Sequence, residues 1–290
     1  MPLDPDTLQR HMPLETRHDL TWQQTVLYAL GAGVGLEDAT GPEAMRLAYE
    51  TDLAALPSMA SILAYPGFWQ KQERFGLTWQ KILHGEQSVR IHRTLPVEGR
   101  LRGVTTIDGI FDKGAEKGAL VYSRREIFEE SSNALVATIV QGSFLRGDGG
   151  FGGSSAGAPV PHPVPERAPD KTLDLATQPG QALLYRLSGD FNPLHVDPEV
   201  ARQGGFDRPI LHGLCTYAVA TRALVTLLCG GNPDRLRRID CRFSRPVYPG
   251  ETISVRCWHE APGRAAFQAS VRERDLIVLT NGYAEFEETT

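Results

Sequence analysis

The chain has 290 residues, of which 41% are hydrophobic and 22% charged, with a formal net charge of -5. That length admits two modest cores, because single domains commonly run to roughly 100–200 residues. Interspersed acids and bases leave no basic footprint for nucleic acid, so the expected partners are small molecules or further copies of the chain, with a homodimer expected.

Residues 1–21 are punctuated by prolines and charges and carry no apolar core behind a basic start, so no secretory signal is expected there. In the first half, Leu95-Pro96 and Gly99 lead into strand-like stretches at 104–110, 119–128 and 135–144, with turns at Asp112, Gly114 and Asn133. A helix candidate is expected ahead of those strands. Leu56-Pro57 and Tyr65-Pro66-Gly67 break that helical region, which leaves room in the first half that a continuous helix would fill.

From 147 to 170 glycine and serine give way to proline, the composition of a linker that stays flexible and then extended. Its glycine run lacks a following Lys-Ser/Thr and a helix, which speaks against a phosphate-cradling loop. The expected division is residues 1–149, a linker at 150–170, and residues 171–290. After the linker, residues 212–229 form an almost wholly apolar helix ended by Gly230-Gly231, interrupted by Arg222 and too short to cross a bilayer. Pro246 to Gly250 then leads into strands at 252–258, 265–271 and 277–286, repeating the plan of the first half about 150 residues later. A helix so apolar must be buried, with a sheet wrapped round it. The fold expected is therefore α+β, a double hot-dog of two curled antiparallel sheets each wrapped round a central helix.

Cys215, Cys229, Cys241 and Cys257 show no Cys-x-x-Cys spacing, which points to a reduced, cytoplasmic setting without zinc or disulfides. The C-terminal Glu288-Thr289-Thr290 is not a peroxisomal address.

The densest chemistry lies in Tyr185-Arg186-Leu187-Ser188-Gly189-Asp190-Phe191-Asn192-Pro193-Leu194-His195. Gly189 and Pro193 dictate the backbone, so the acid, amide and imidazole converge only if the segment turns tightly. Two readings stand side by side: an acid–base turn, or an Asx-turn in which Asp190 and Asn192 bind their own backbone beside a part-buried His195. Pro209-Ile210-Leu211-His212-Gly213 follows, setting a His-Gly pair at the helix start, where free N–H groups can receive an oxyanion. Asp190, His195, Asp197 and His212 can also be read as metal ligands, although Pro193 and Pro198 deny them a shared helical face. Acid, base and oxyanion donor suffice for adding water to a conjugated thioester, so neither a metal nor another cofactor is expected. Whether Asp190 or His195 handles the water's proton stays open.

Residues 185–195 with Gly213 resemble the motif of the 2-enoyl-CoA hydratase 2 and MaoC-like dehydratase family, which includes the hydratase part of peroxisomal multifunctional enzyme type 2. The likeness extends to Leu27-Tyr28-Ala29-Leu30-Gly31, Leu83-His84-Gly85-Glu86-Gln87, Phe111-Asp112-Lys113-Gly114, Gly149 to Gly153, and Arg242 to Gly250. It implies an R-specific enoyl-CoA hydratase, with catalysis by Asp190 and His195, Asn192 supporting the turn and Gly213 donating to the thioester oxygen. It also implies that His84, Gly85, Lys113 and Phe243 contact the CoA ester, with a solvated turn lysine as the alternative reading of Lys113. The first half lacks the Asp-x-Asn-Pro-x-His pattern, so one active site per chain is expected. A hot-dog thioesterase and a non-catalytic acyl-CoA-binding protein are the rival readings. No Gly-x-Gly-x-x-Gly follows a strand, so any dehydrogenase acting next is a separate polypeptide.

Overall fold

The computed structural model describes residues 2–288. Met1, Thr289 and Thr290 lie outside the described residues, so the two targeting expectations read from the chain ends fall partly beyond them. The described residues form ten strands: β1 (Leu14–Leu20), β2 (Ile82–Ile91), β3 (Gly99–Asp112), β4 (Ala119–Glu129), β5 (Ala134–Leu145), β6 (Lys171–Ala176), β7 (Leu236–Phe243), β8 (Thr252–Ala261), β9 (Arg264–Val271) and β10 (Leu276–Phe286). The helices are α1 (Pro5–Arg10), α2 (Trp22–Gly31), α3 (Pro42–Ala48), α4 (Gln181–Tyr185), α5 (Pro198–Gln203) and α6 (Gly213–Cys229). No helix among the described residues is long and apolar enough to cross a membrane.

All ten strands join one open antiparallel sheet in the order β1-β3-β4-β5-β2-β7-β10-β9-β8-β6. Read inward from either end, the two halves give the same strand sequence, which is the double hot-dog plan. They meet at β2 and β7, paired from Glu86 opposite Arg242 to Arg90 opposite Arg238. On the outer face of that junction Arg242 meets Glu86 at 3.0 Å and Ser88 donates to Asp240 at 2.6 Å. These polar cross-strand pairs replace the plain apolar alternation of a strand, which is why sequence patterning overlooks β2 and β7.

Helix α6 fills the second half. Every residue from Cys215 to Val225 is buried, and Gly230, at φ +62°, closes the helix in the left-handed conformation that suits glycine. Its one charge, Arg222, is only 1% exposed and reaches across to Glu37 at 2.8 Å, Glu43 at 2.6 Å and the Ala32 carbonyl at 3.2 Å. Pairing of this kind offsets much of the cost of burying a guanidinium, and both acids belong to the first half.

The first half departs from expectation in having no long central helix. A single five-residue 3-10 turn at Pro57–Ser61, buried throughout, takes that place and packs against α6, β2, β5 and β7. Proline at its start and the breaks already noted in the sequence keep it short. One apolar cluster runs through both halves as a result, from Leu20 to Phe286.

Residues 146–170 hold neither strand nor helix, yet they are pinned rather than loose. The Asp112 carboxylate accepts the amides of Gly114, Gly150 and Gly152, each at 2.8 Å, so the glycine run is occupied by the protein's own carboxylate and not left for a phosphate. Farther on, Asn281 and Trp258 donate to the carbonyls of His162 and Arg167 at 2.7 and 2.8 Å.

Cutting the chain would expose the β7 edge and strip Arg222 of both partners, leaving a buried charge unpaired. A fragment of residues 169–290 is therefore expected to aggregate or self-associate, measured by size-exclusion chromatography with light scattering. A soluble monomer with native secondary structure would contradict the shared core.

Candidate active site

The chain leaves α4 through one 3-10 turn, Arg186–Ser188, and reverses at Gly189, whose φ of +113° would strain any side chain. Asp190 Oδ1 then accepts the Asn192 amide at 3.1 Å, and Asn192 Oδ1 accepts the Leu194 amide at 3.1 Å. Two successive Asx turns, with Pro193 opening the short turn Pro193–His195, leave Asp190 exposed and swing His195 inward to 8% exposure. The Asx-turn reading and the acid–base reading of this segment thus describe the same geometry.

His195 Nδ1 lies 2.9 Å from the Ile210 carbonyl. A carbonyl only accepts, so Nδ1 carries the proton and Nε2 presents a bare lone pair. By the same reasoning, His212 Nε2 donates to the Asp190 carbonyl at 3.2 Å, which ties the loop to the start of α6 and leaves Nδ1 bare, buried and unpartnered. The two imidazoles stack with centroids 3.8 Å apart and 29° between their planes, and Tyr185 backs His212 at 5.1 Å. Neither the Gly213 nor the Leu214 amide has an intrachain acceptor among the described residues, and His212 provides no side-chain cap. The N-terminus of α6 therefore offers free donors beside the catalytic-looking loop.

The first half closes the other side. His84 meets Phe243 edge to face at 4.8 Å, and its Nε2 is buried without a partner. A Cβ added at Gly213 would touch that same Phe243 ring at 3.4 Å, an ordinary contact that fills the space next to the amide. Gly85 lies in the irregularity between His84 and Glu86 where β2 slips against β5. Lys113 is not brought in with these residues: it follows Asp112, which shares a row of the sheet with Ala119, Leu145 and Ile82. Three strand spacings, roughly 14 Å, separate it from β2.

Burial is the first cause of lowered pKa at His84, His195 and His212; it pushes His84 and His212 down to about 4, the latter helped by neighbouring His195. The charge of Asp190 opposes this at all three, and it also reaches Tyr65 and Tyr185, whose phenols burial pushes up. Sequence reasoning missed Tyr65, and it named His212 only as a possible metal ligand and as half of the His-Gly pair at the helix start.

Asp190, His195 and His212 place potential ligand atoms within 4.8 Å of one another. Lone pairs lie in the ring planes, however, so two stacked imidazoles send theirs side by side instead of converging on one ion at about 2.0–2.1 Å. Asp197, the fourth residue of the metal reading, is spent capping α5, accepting the Glu199 amide at 2.8 Å. The arrangement suits proton transfer better than coordination.

The unfolded chain protonates its histidines near pH 6.5, whereas these three hold their protons less well when folded. The unfolded state thus binds more protons in acid, so stability is present above about pH 6.5 and lost as pH falls towards 4. Urea midpoints measured across that window are expected to drop; a flat profile would contradict neutral buried histidines.

The sequence profile of the MaoC like domain matches residues 161–281, and that of the MFE-2 hydratase 2 N-terminal domain matches residues 18–147. The chain is 42% identical to 3-hydroxyacyl-thioester dehydratase Y of Mycobacterium tuberculosis, over 92% of each protein. It is 36% identical to the peroxisomal enoyl-CoA hydratase 2 of Arabidopsis thaliana, over 97% of this chain and 94% of that one. Against the peroxisomal multifunctional enzyme type 2 of Mus musculus it is also 36% identical, over 90% of this chain and 36% of that longer protein. The crystal structure of a MaoC-like dehydratase from Phytophthora capsici superposes with a TM-score of 0.87 at 36% identity, covering 99% of this chain and all of the other. With both halves matched in order and two of these relatives alike along more than nine-tenths of their length, the chain belongs to the MaoC-like, hydratase 2 family.

Proposed function

We propose that the protein is an R-specific enoyl-CoA hydratase, adding water reversibly to trans-2-enoyl-CoA to give R-3-hydroxyacyl-CoA. The observation that carries this reading is the bare Nε2 of a neutral His195 beside the exposed Asp190 carboxylate, next to the free amides of α6. Full-length likeness to proteins named enoyl-CoA hydratase 2 supports it.

In this mechanism the thioester oxygen takes the Gly213 N–H, which draws electrons from C3. Water sits between Asp190, whose Oδ2 is not engaged in the turn, and His195 Nε2. As the water oxygen bonds to C3, its proton passes to Nε2 and negative charge collects on the thioester oxygen. The imidazolium then gives that proton to C2, restoring the carbonyl, so hydroxyl and hydrogen enter from one face. Asn192 shapes the loop, and His84 and Phe243 flank the thioester. Gly85 gives β2 its irregular step, and Lys113 meets only the remote part of the CoA.

The same reading has the protein acting as a homodimer in the cytosol, without a cofactor, and passing its product to a separate dehydrogenase. Exposed Leu183, Leu187 and Phe191 around the catalytic loop support a covering second copy, and four buried unpaired cysteines support a reducing compartment.

Asp190→Asn and His195→Gln are each expected to cut turnover about 100- to 10,000-fold while leaving the fold intact, as loss of a positioned acid or base does. Enoyl-CoA consumption with chiral analysis of the product checks this. Near wild-type rates in a folded variant remove that residue from the mechanism, and release of free CoA thiol would point to a thioesterase instead. Dialysis against a chelator is expected to leave the rate unchanged; loss restored by one specific metal would revive the coordination reading.

A further inference from the structure

The inner faces of the two halves differ in chemistry. Around α6, paired rows such as Ile253 with Val271, Val255 with Ala269 and Cys257 with Phe267 are apolar. In the first half the matching rows carry Gln87, Gln141 and Ser123, then Ile139, Arg125 and Thr105. Paired residues share a face of the sheet, so this is a polar stripe turned into the protein. It starts at the active site, because Ser143, whose hydroxyl holds Gln70 at 3.1 Å, lies opposite His84 on β5. Ile139, opposite Arg125, is four residues along that strand, roughly 13 Å away.

Arg125 is the unusual member. It is 5% exposed and donates to the carbonyls of Ser61 and Ala60, but no carboxylate pairs with it among the described residues, and its Nε has no partner at all. Thr105 Oγ1 beside it and Gln70 Oε1 nearer the catalytic end are likewise buried and unpartnered. Tyr65 lies over the guanidinium at 5.0 Å, turned there by Ala64 at φ +44°, and remains 39% exposed. Beneath it Thr105, Ser123, Arg125 and Gln141 line a pocket with about 10 Å³ of open space, roughly one water's room, which grows if the Tyr65 ring lifts. Arg125 and Asp190 both carry charge near the Tyr65 phenol, which burial pushes up. Arg222 shows how this protein treats a buried cation that is purely structural: it gives it two carboxylates.

We propose that this pocket receives the far end of the acyl chain and that the preferred enoyl-CoA carries a carboxylate there, in place of a methyl end. The proposal rests on the hydratase reading. A terminal carboxylate would supply the missing acceptor for Arg125 and Thr105 and the missing counter-charge, whereas a methyl end would leave a buried cation unanswered.

The test compares two trans-2-enoyl-CoAs of equal, medium chain length, one ending in a methyl group and one in a carboxylate. The wild-type protein is expected to favour the carboxylate-ended chain about 10- to 100-fold in kcat/KM, the worth of one charge-assisted hydrogen bond. Arg125→Met should bring that ratio close to one, while Arg125→Lys should keep part of it. If Arg125→Met fails to fold, the wild-type ratio and the lysine variant still decide. Equal use of both chains, preference for the methyl end, or an unchanged ratio in Arg125→Met would overturn the proposal alone. Hydration of neither chain would sink the hydratase reading with it.

Discussion

Helix α6 cannot stand in water, and most of the architecture answers that constraint. Eleven consecutive residues, from Cys215 to Val225, are buried, which requires a sheet curled round the helix and a second half to close what that sheet leaves open. The charge at Arg222 then fixes how the halves dock, because its two carboxylates come from the loop after α2 and from α3. The N-terminus of α6 is where this enclosure stops. There the helix keeps two unanswered amides, and those amides give it its chemistry.

The site forms where a buried element meets a turn that cannot be buried. Gly189 and the two Asx turns hold the backbone so that one side chain, Asp190, faces solvent while His195, five positions on, faces inward. Hydrogen bonds to carbonyls then select one tautomer for each of two neutral histidines, and the stacked pair welds loop to helix. Positioning and protonation state are thus settled by the same few contacts. The first half adds a wall, His84 against Phe243, but no acid–base turn of its own.

Much of this was legible in the residues. Periodicity gave the three long strands of each half and α6 to within a few positions, since those elements alternate or repeat cleanly. It failed at β2 and β7, where cross-strand ion pairs interrupt the alternation, and at β1 and β6, short edge strands. It also projected onto the first half a central helix that Pro57 and its neighbours do not permit. In the site, spacing alone revealed the turn and the His-Gly pair, because proline and glycine force local geometry. It could not reveal Tyr65, the Nδ1–H tautomer of His195, or Arg125, whose meaning depends on strands that meet only in the fold. The glycine run shows the converse: a phosphate-like sequence whose amides are taken by Asp112, a partner about forty residues upstream.

The central claim is that loop and helix end act on one thioester at once. A crystal structure with a non-reactive enoyl-CoA analogue tests it most directly. The account predicts the thioester oxygen within hydrogen-bonding distance of the Gly213 amide, with C3 turned towards Asp190 and His195 Nε2. An analogue bound with its carbonyl away from α6, or with C3 turned from that pair, would contradict it.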